Sequence, residues 1–125
     1  MNPMRSLQDI FSEIATVPDF FEHQIDSVHY RNGWGDSPLH VVSCWGDCEA
    51  IRVLVAAGAD INLPGETGFT PLHCAVEQDY PEAVALLLEL GAEFIRDANG
   101  QTPVDLAISL NHGDTLKVLS GLPKA

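Results

Sequence analysis

One phrase recurs three times along this chain, and its spacing constrains the fold more than any other feature. Gly68-Phe69-Thr70-Pro71-Leu72-His73-Cys74-Ala75 has a near copy 33 residues upstream, Gly35-Asp36-Ser37-Pro38-Leu39-His40-Val41-Val42. A weaker copy follows 32 residues downstream, Gly100-Gln101-Thr102-Pro103-Val104-Asp105-Leu106-Ala107. A second phrase keeps step with the first, as Leu54-Val55-Ala56-Ala57-Gly58-Ala59-Asp60 and Leu87-Leu88-Glu89-Leu90-Gly91-Ala92-Glu93. Two phrases locked to one period of about 33 residues define a stacked array, in which no unit can bury its apolar face alone. Such arrays are surfaces for holding other macromolecules far more often than they are enzymes.

The residue chemistry makes each unit a helix pair. Ser37, Thr70 and Thr102 carry hydroxyls suited to the unpaired amides of a first helical turn. Pro38, Pro71 and Pro103 follow at the first helical position, where no amide donor is needed. Thr102-x-x-Asp105 reads as a capping box, with its carboxylate near the positive end of the helix. Gly46 is placed to close the first helix of its unit, and Gly58 and Gly91 to close second helices, because glycine takes the left-handed cap without steric penalty. Ile51, Leu54 and Val55 share one helix face, as do Val84, Leu87 and Leu88. Leu54, Leu72, Leu87 and Leu88 are the expected core.

These residues together resemble the ankyrin repeat, a β-turn followed by two antiparallel helices. The match runs from about Asn32 to Leu119. The resemblance implies an all-α solenoid of antiparallel helix pairs with β-turn fingers. It divides the chain into a degenerate helical cap over residues 1–31, repeats over 32–64 and 65–96, and a C-terminal capping repeat over 97–121, all in one domain. It also implies that His40 and His73 bond the turn backbone and the capping hydroxyl. The chain departs from the pattern at Val42, where a small alanine is usual, at Asp79 in place of a glycine such as Gly46, and at Ile95 in place of an asparagine such as Asn62.

Residues 1–30 lack the motif but keep helical spacing. Leu7, Ile10, Phe11 and Ile14 form a stripe, Ser6 suits the N-cap, and Val17-Pro18-Asp19 marks a break before Phe20, Phe21 and Ile25. This suits a pair that caps the open end of the stack. A membrane-binding role fits poorly, because Arg5 is the one base against Asp9, Glu13, Asp19 and Glu22.

Charge narrows the partners. Eighteen acids face six bases, a formal net charge of −12. Between Gly33 and Phe94 Arg52 is the only base among ten acids. That field repels nucleic acid, whose binding needs Lys and Arg on phosphates, and steers a basic protein toward the stack. The chain shows no secretory signal and no run of transmembrane length, and its three cysteines are an odd count, so a cytoplasmic, reduced and monomeric protein is expected.

His40, Cys44, Cys48, His73 and Cys74 invite a metal or nucleophile reading. Gly46-Asp47 separates Cys44 from Cys48, and structural zinc wants four closely spaced ligands, so no metal or cofactor is expected. Cys74 beside His73 points about 100° away from it on a helix, and no oxyanion hole or phosphate loop accompanies the pair, so no catalytic residue is expected.

The resemblance places turn tips and first-helix ends along one concave groove. The candidate protein-binding residues are then Trp34, Asp36, Glu66, Phe69, Asn99 and Gln101 at the tips, and Trp45, Asp47, Glu77, Gln78, Asp79, Tyr80 and Leu110 at the helix ends. Exposed aromatics ringed by acids have the composition of a binding hot spot. The bland alternative folds Trp34 and Trp45 back onto the cap as core. The expected function is a non-catalytic module that binds, and by analogy with some bacterial ankyrin-like proteins inhibits, a basic protein such as a cognate nuclease toxin. Its rival is a regulatory or scaffolding adaptor that docks a peptide or domain.

Overall fold

The computed structural model describes residues 5–17, 20, 25 and 27–121. Among them are seven α-helices and no strand: α1 (Leu7–Ile14), α2 (Pro38–Cys44), α3 (Cys48–Ala56), α4 (Pro71–Glu77), α5 (Pro81–Glu89), α6 (Pro103–Leu110) and α7 (Gly113–Leu119). The fold is the all-α stack that the spacing requires. Helices α2, α4 and α6 pack side by side as one row, α3, α5 and α7 as a second, and α1 lies against α2 and α3.

Each helix begins and ends for local reasons. Ser6 Oγ accepts from the Asp9 amide at 3.1 Å while the Asp9 carboxylate accepts from the Ser6 amide at 3.1 Å, which fixes the start of α1. Ile10, Phe11 and Ile14 of its stripe are buried and Leu7 is half-buried. Of the expected break, Val17 lies in a bend, whereas Pro18, Asp19 and Phe21 fall outside the described residues. Ser37, Thr70 and Thr102 occupy the N-caps of α2, α4 and α6, each followed by its proline. Gly46 closes the first pair's inner helix at φ +68°. Asp79 and Asn111 take its place in the next two units at φ 61° and 62°, in the left-handed region that Asp and Asn tolerate best after glycine. Asp79 gains a compensating bond there, since its carboxylate accepts from the Thr115 hydroxyl at 2.7 Å.

The core runs unbroken from cap to last unit, through Ile14, Leu39, Leu54, Leu72, Val84, Leu87 and Leu119. Leu88 departs from expectation: it is half-buried, as is Val55. Helix α5 is pressed between α3, α4 and α7, and meets them through Ala83, Val84, Leu86 and Leu87. One step further along the helix turns the side chain about 100° toward the stack's edge.

Histidines tie each unit to the next. In the first, the Ser37 amide donates to His40 Nδ1 at 3.0 Å, and His40 Nε2 lies 2.9 Å from the Phe69 carbonyl, 29 residues on. In the second, Thr70 and His73 repeat the arrangement, with His73 Nε2 at 3.0 Å from the Gln101 carbonyl. An Nδ1 that accepts from an amide leaves the proton on Nε2, so both rings donate forward. Asp105 stands at the third such position. Its carboxylate accepts from the Thr102 amide at 3.0 Å.

The cap is held by charge as well as by packing. Arg5 donates to Glu13 at 2.5 Å, to both oxygens of Asp47 at 2.5 and 2.6 Å, and to Glu49 at 2.7 Å. These bonds push the guanidinium further toward its charged form and hold the Glu49 carboxyl below its ordinary range. Arg5, the one Lys or Arg of residues 1–30, is thus a clamp between cap and first unit.

Candidate functional site

Three fingers project ahead of α2, α4 and α6. Each is closed by a main-chain bond: Asn32 amide to Asp36 carbonyl at 2.9 Å, Gly65 to Phe69 at 2.7 Å, and Asp97 to Gln101 at 2.8 Å. In the outer two, the side-chain oxygen of Asn32 or Asp97 accepts from the amides two and four residues on. The middle finger has Gly65 at that position, for a steric reason. A Cβ there would sit 2.2 Å from Asp36 Oδ1 and 2.8 Å from His40 Nε2. Asp36 occupies the space and accepts from the next amide, that of Glu66, at 2.9 Å. Arg31 adds a strut, donating to Gly35 in its own finger at 2.9 Å and to Pro64 at the base of the next at 2.7 Å.

The thirteen residues expected to bind a partner fall into two groups. Trp34, Glu66 and Asn99 are exposed on successive fingers, and Trp45, Glu77, Gln78 and Leu110 are exposed at the ends of α2, α4 and α6. Trp34 is 61% exposed, so it does not fold back onto the cap as core. The other group is engaged in the stack itself. Asp36 holds the middle finger, and the Asp47 carboxylate accepts from the Ala50 amide at 3.1 Å and pairs with Arg5. The half-buried Phe69 ring stacks on His73, centroids 5.0 Å apart. Asp79 bonds Thr115, and Gln101 Nε2 donates to Ser109 at 3.2 Å. Tyr80 is 40% exposed, yet its ring covers Gly46 of the preceding unit.

A cleft of about 200 Å³ opens where the cap meets the first unit. Val17 and Phe20 line it from the cap, Asp36, His40, Val41, Cys44 and Trp45 from the first unit, and Cys74 from the second. Trp45 is 38% exposed and does both things weighed for it, presenting one side to solvent and walling this cleft. The cleft was hidden from sequence because Val17, Phe20 and Cys74 belong to different elements. One signal pointed toward it: Cys44 stands at the register of Glu77 and Ser109, a position the core does not dictate.

Two thiols in that lining affect each other. A hydrogen bond from Cys74, opposed by burial and by the charges of Glu77 and Asp36, holds the Cys44 thiol below its ordinary range. The same bond, with burial, pushes Cys74 well above it. Burial and Glu82 raise Cys48, which lies apart. Burial also lowers His40. Among the described residues, no group of three or more His, Cys, Asp or Glu side chains is arranged to hold a metal ion, and no helix is long and apolar enough to cross a membrane.

Ile108 and Phe94 are exposed apolar residues that periodicity did not single out. Ser43 and Val76, at the register of Ile108, are covered by the unit that follows. Ile108 lies on the last described unit and is 59% exposed.

Stacked helix pairs, forward-donating histidines and turn fingers define a repeat-protein interaction scaffold. The family model for ankyrin repeats, in three copies, matches residues 14–97 and 39–123. The chain belongs to the ankyrin-repeat family. Among its relatives is the protein phosphatase 1 regulatory subunit 27 of Mus musculus, 37% identical over 100 residues, which are 78% of this chain and 61% of that protein. The neurogenic locus notch homolog protein 4 of Homo sapiens is 38% identical over 89 residues, 70% of this chain and 4% of that protein. An ankyrin repeat protein of the bacterium Rickettsia bellii is 33% identical over 91 residues, 68% of this chain and 38% of that protein. The chain thus spans about half the length of the phosphatase subunits it matches, 61% of the mouse protein and 47% of the human one. Animal and bacterial proteins both appear among the relatives, so they do not point to a bacterial source.

Proposed function

We propose that the chain is a non-catalytic protein-binding module that grips a basic segment of a partner across its fingers and inner-helix ends. One observation carries this reading. Trp34 is 61% exposed at a finger tip, with Trp45 half-exposed at the end of the adjoining helix. Neither indole is needed to fill the core, and large exposed aromatics are the side chains that dominate binding energy when a partner covers them. Glu66, Glu77 and the net charge of −12 favour a basic partner. The test is capture of partners from extract of the native host by the wild type and by a Trp34→Ala, Trp45→Ala double variant of equal helicity. Loss of the captured protein with the double variant supports the reading; equal capture by both, or an acidic captured protein, overturns it.

A second reading has its own observation. The 37% identity to a phosphatase regulatory subunit favours an adaptor that positions or restrains an enzyme. Phosphatase activity in the captured material separates it from other partners. The narrower expectation of a toxin inhibitor draws nothing from these relatives and rests on size and charge alone.

A further inference from the structure

Cys44 and Cys74 face one cleft from adjacent units. Cys44 is the last residue of α2 and half-buried, whereas Cys74 lies within α4 and is 6% exposed. The two helices pack directly on each other, and both residues line the same cleft. Neither register demands cysteine: position 74 corresponds to Val41 and Leu106 in the other units, and position 44 to Glu77 and Ser109. The juxtaposition therefore belongs to this one interface.

We propose that Cys44 and Cys74 form a peroxide-reactive thiol pair, in which Cys44 is attacked first and Cys74 resolves it into a disulfide between units. The oxidant is a small neutral hydroperoxide, which fits a cleft of about 200 Å³. The Cys44 thiolate attacks one peroxide oxygen. The O–O bond breaks, a hydroxide leaves and takes up a proton as water, and Cys44 carries S–OH. The Cys74 sulfur then attacks the Cys44 sulfur. The S–O bond breaks, hydroxide leaves with the Cys74 thiol proton as water, and the S–S bond forms. Two thiols and one hydrogen peroxide give one disulfide and two waters.

The geometry assigns the order. Cys44 is the more exposed of the two thiols and is held below its ordinary range, which favours its thiolate and hence its attack. Cys74 is the buried member of the pair, on the adjoining helix and in the same lining, which places it to resolve an oxidised Cys44. Asp36 and Glu77 put negative charge around the thiol, which favours neutral peroxide over anionic disulfides. Cys48 is an internal control, half-buried and outside the cleft.

The test is oxidation of the reduced full-length protein with hydrogen peroxide, followed by alkylation of remaining thiols and digestion at acidic residues, which separates Cys44 from Cys48 at Asp47. The expected product links the Cys44 and Cys74 peptides with loss of two hydrogens and leaves Cys48 alkylated. Cys74→Ala is expected to stop at a Cys44 sulfenic acid, trapped by a 1,3-diketone. Cys44→Ser, at a half-exposed position that leaves the core intact, is expected to lose the bridge and keep Cys74 reduced, and it carries the test if Cys74→Ala does not fold. A bridge that includes Cys48, oxidation of Cys44 and Cys48 at equal rates without a bridge, or oxidation of Cys74 at the wild-type rate in Cys44→Ser overturns the proposal. None of these readouts needs a binding partner, so failure here leaves the binding reading standing.

Discussion

The Tyr80 ring lies against Gly46, so that a Cβ added at position 46 would sit 2.6 Å from the ring's Cγ. The two belong to successive units, and the contact is one of a series. Asp47, Tyr80 and His112 are the N-caps of α3, α5 and α7, and each reaches back one unit. Asp47 pairs with Arg5 of the cap, Tyr80 covers Gly46, and His112 Nε2 lies 3.2 Å from the Glu77 carbonyl. His40 and His73 near the start of the inner helices reach forward and these three reach back, so the two junctions between repeats are held from both sides.

Gly46→Ala is expected to destabilise the stack. The backbone there has φ +68°, where a non-glycine residue costs about 1–3 kcal/mol, and the methyl also displaces the Tyr80 ring. Gly100→Ala is the control, with φ +79° and nothing within 4 Å of the added Cβ, so it carries backbone strain alone. Urea titration should show a larger loss for Gly46→Ala. Equal losses would remove the contact with Tyr80 from the account.

Arg5→Lys is expected to loosen the cap although charge is kept, because an ammonium lacks the planar fork that meets Glu13, Asp47 and Glu49 together. The melting temperature should fall for Arg5→Lys and fall further for Arg5→Ala. The difference from wild type should narrow as salt rises, since the clamp is partly exposed. Identical melting of all three proteins would show that packing of α1 alone holds the cap.

His40 sets a pH dependence. Burial lowers its pKa from the ordinary 6.5, and its Nδ1 accepts from the Ser37 amide, a bond that protonation removes. The unfolded chain therefore takes up a proton at higher pH than the folded one. The stability from neutral His40 is full above pH 6.5 and is lost as pH falls through 6.5 toward the lower folded value. His40→Gln should be less stable than wild type at pH 7.5, with the gap shrinking toward pH 5, before most carboxylates titrate. A gap that stays constant over that window would mean that His40 is not protonated differently in the two states.

The fold was legible where one residue does one local job. Ser37-Pro38, Thr70-Pro71 and Thr102-Pro103 mark helix starts by backbone chemistry alone, and Gly46, Gly58 and Gly91 mark the ends. The candidate surface was less legible, because exposure in a motif does not reveal a long-range partner. Asp47 shares its register with Tyr80 and His112, and only the fold brings Arg5 to it from 42 residues away. Asp36 looks like a free acid at a finger tip until Gly65 leaves room for it to take the Glu66 amide. The cleft with Cys44 and Cys74 needed three elements to meet, which no periodicity encodes.

Burial ranks the leucines. Leu72 is fully buried, so Leu72→Ala should cost about 2–5 kcal/mol through lost transfer energy and the cavity left behind. Leu88 is half-buried at the edge of α5, and Leu88→Ala should cost distinctly less. Denaturant midpoints at equal slope measure the comparison, and an equal cost would move Leu88 into the core, where sequence first placed it.

Trp34 and Glu77 should act on different steps of binding. Trp34 is 61% exposed in the free protein, so its truncation is expected to leave the melting temperature within a degree or two of wild type. If a partner covers it, Trp34→Ala should weaken binding by about 2 kcal/mol or more, chiefly through faster dissociation, because a buried aromatic anchor is desolvated and well packed. Glu77 is exposed at the end of α4 beside Gln78. Glu77→Gln together with Glu66→Gln should slow association at low salt and matter little at high salt, since rim charges act through steering that salt screens. Asp47→Asn and Asp79→Asn should instead lower stability, because those carboxylates hold Arg5 and Thr115 within the stack. Surface kinetics with the captured partner separate the classes. Unchanged dissociation in Trp34→Ala, or a salt-independent effect of the glutamate pair, would move the binding surface away from the fingers.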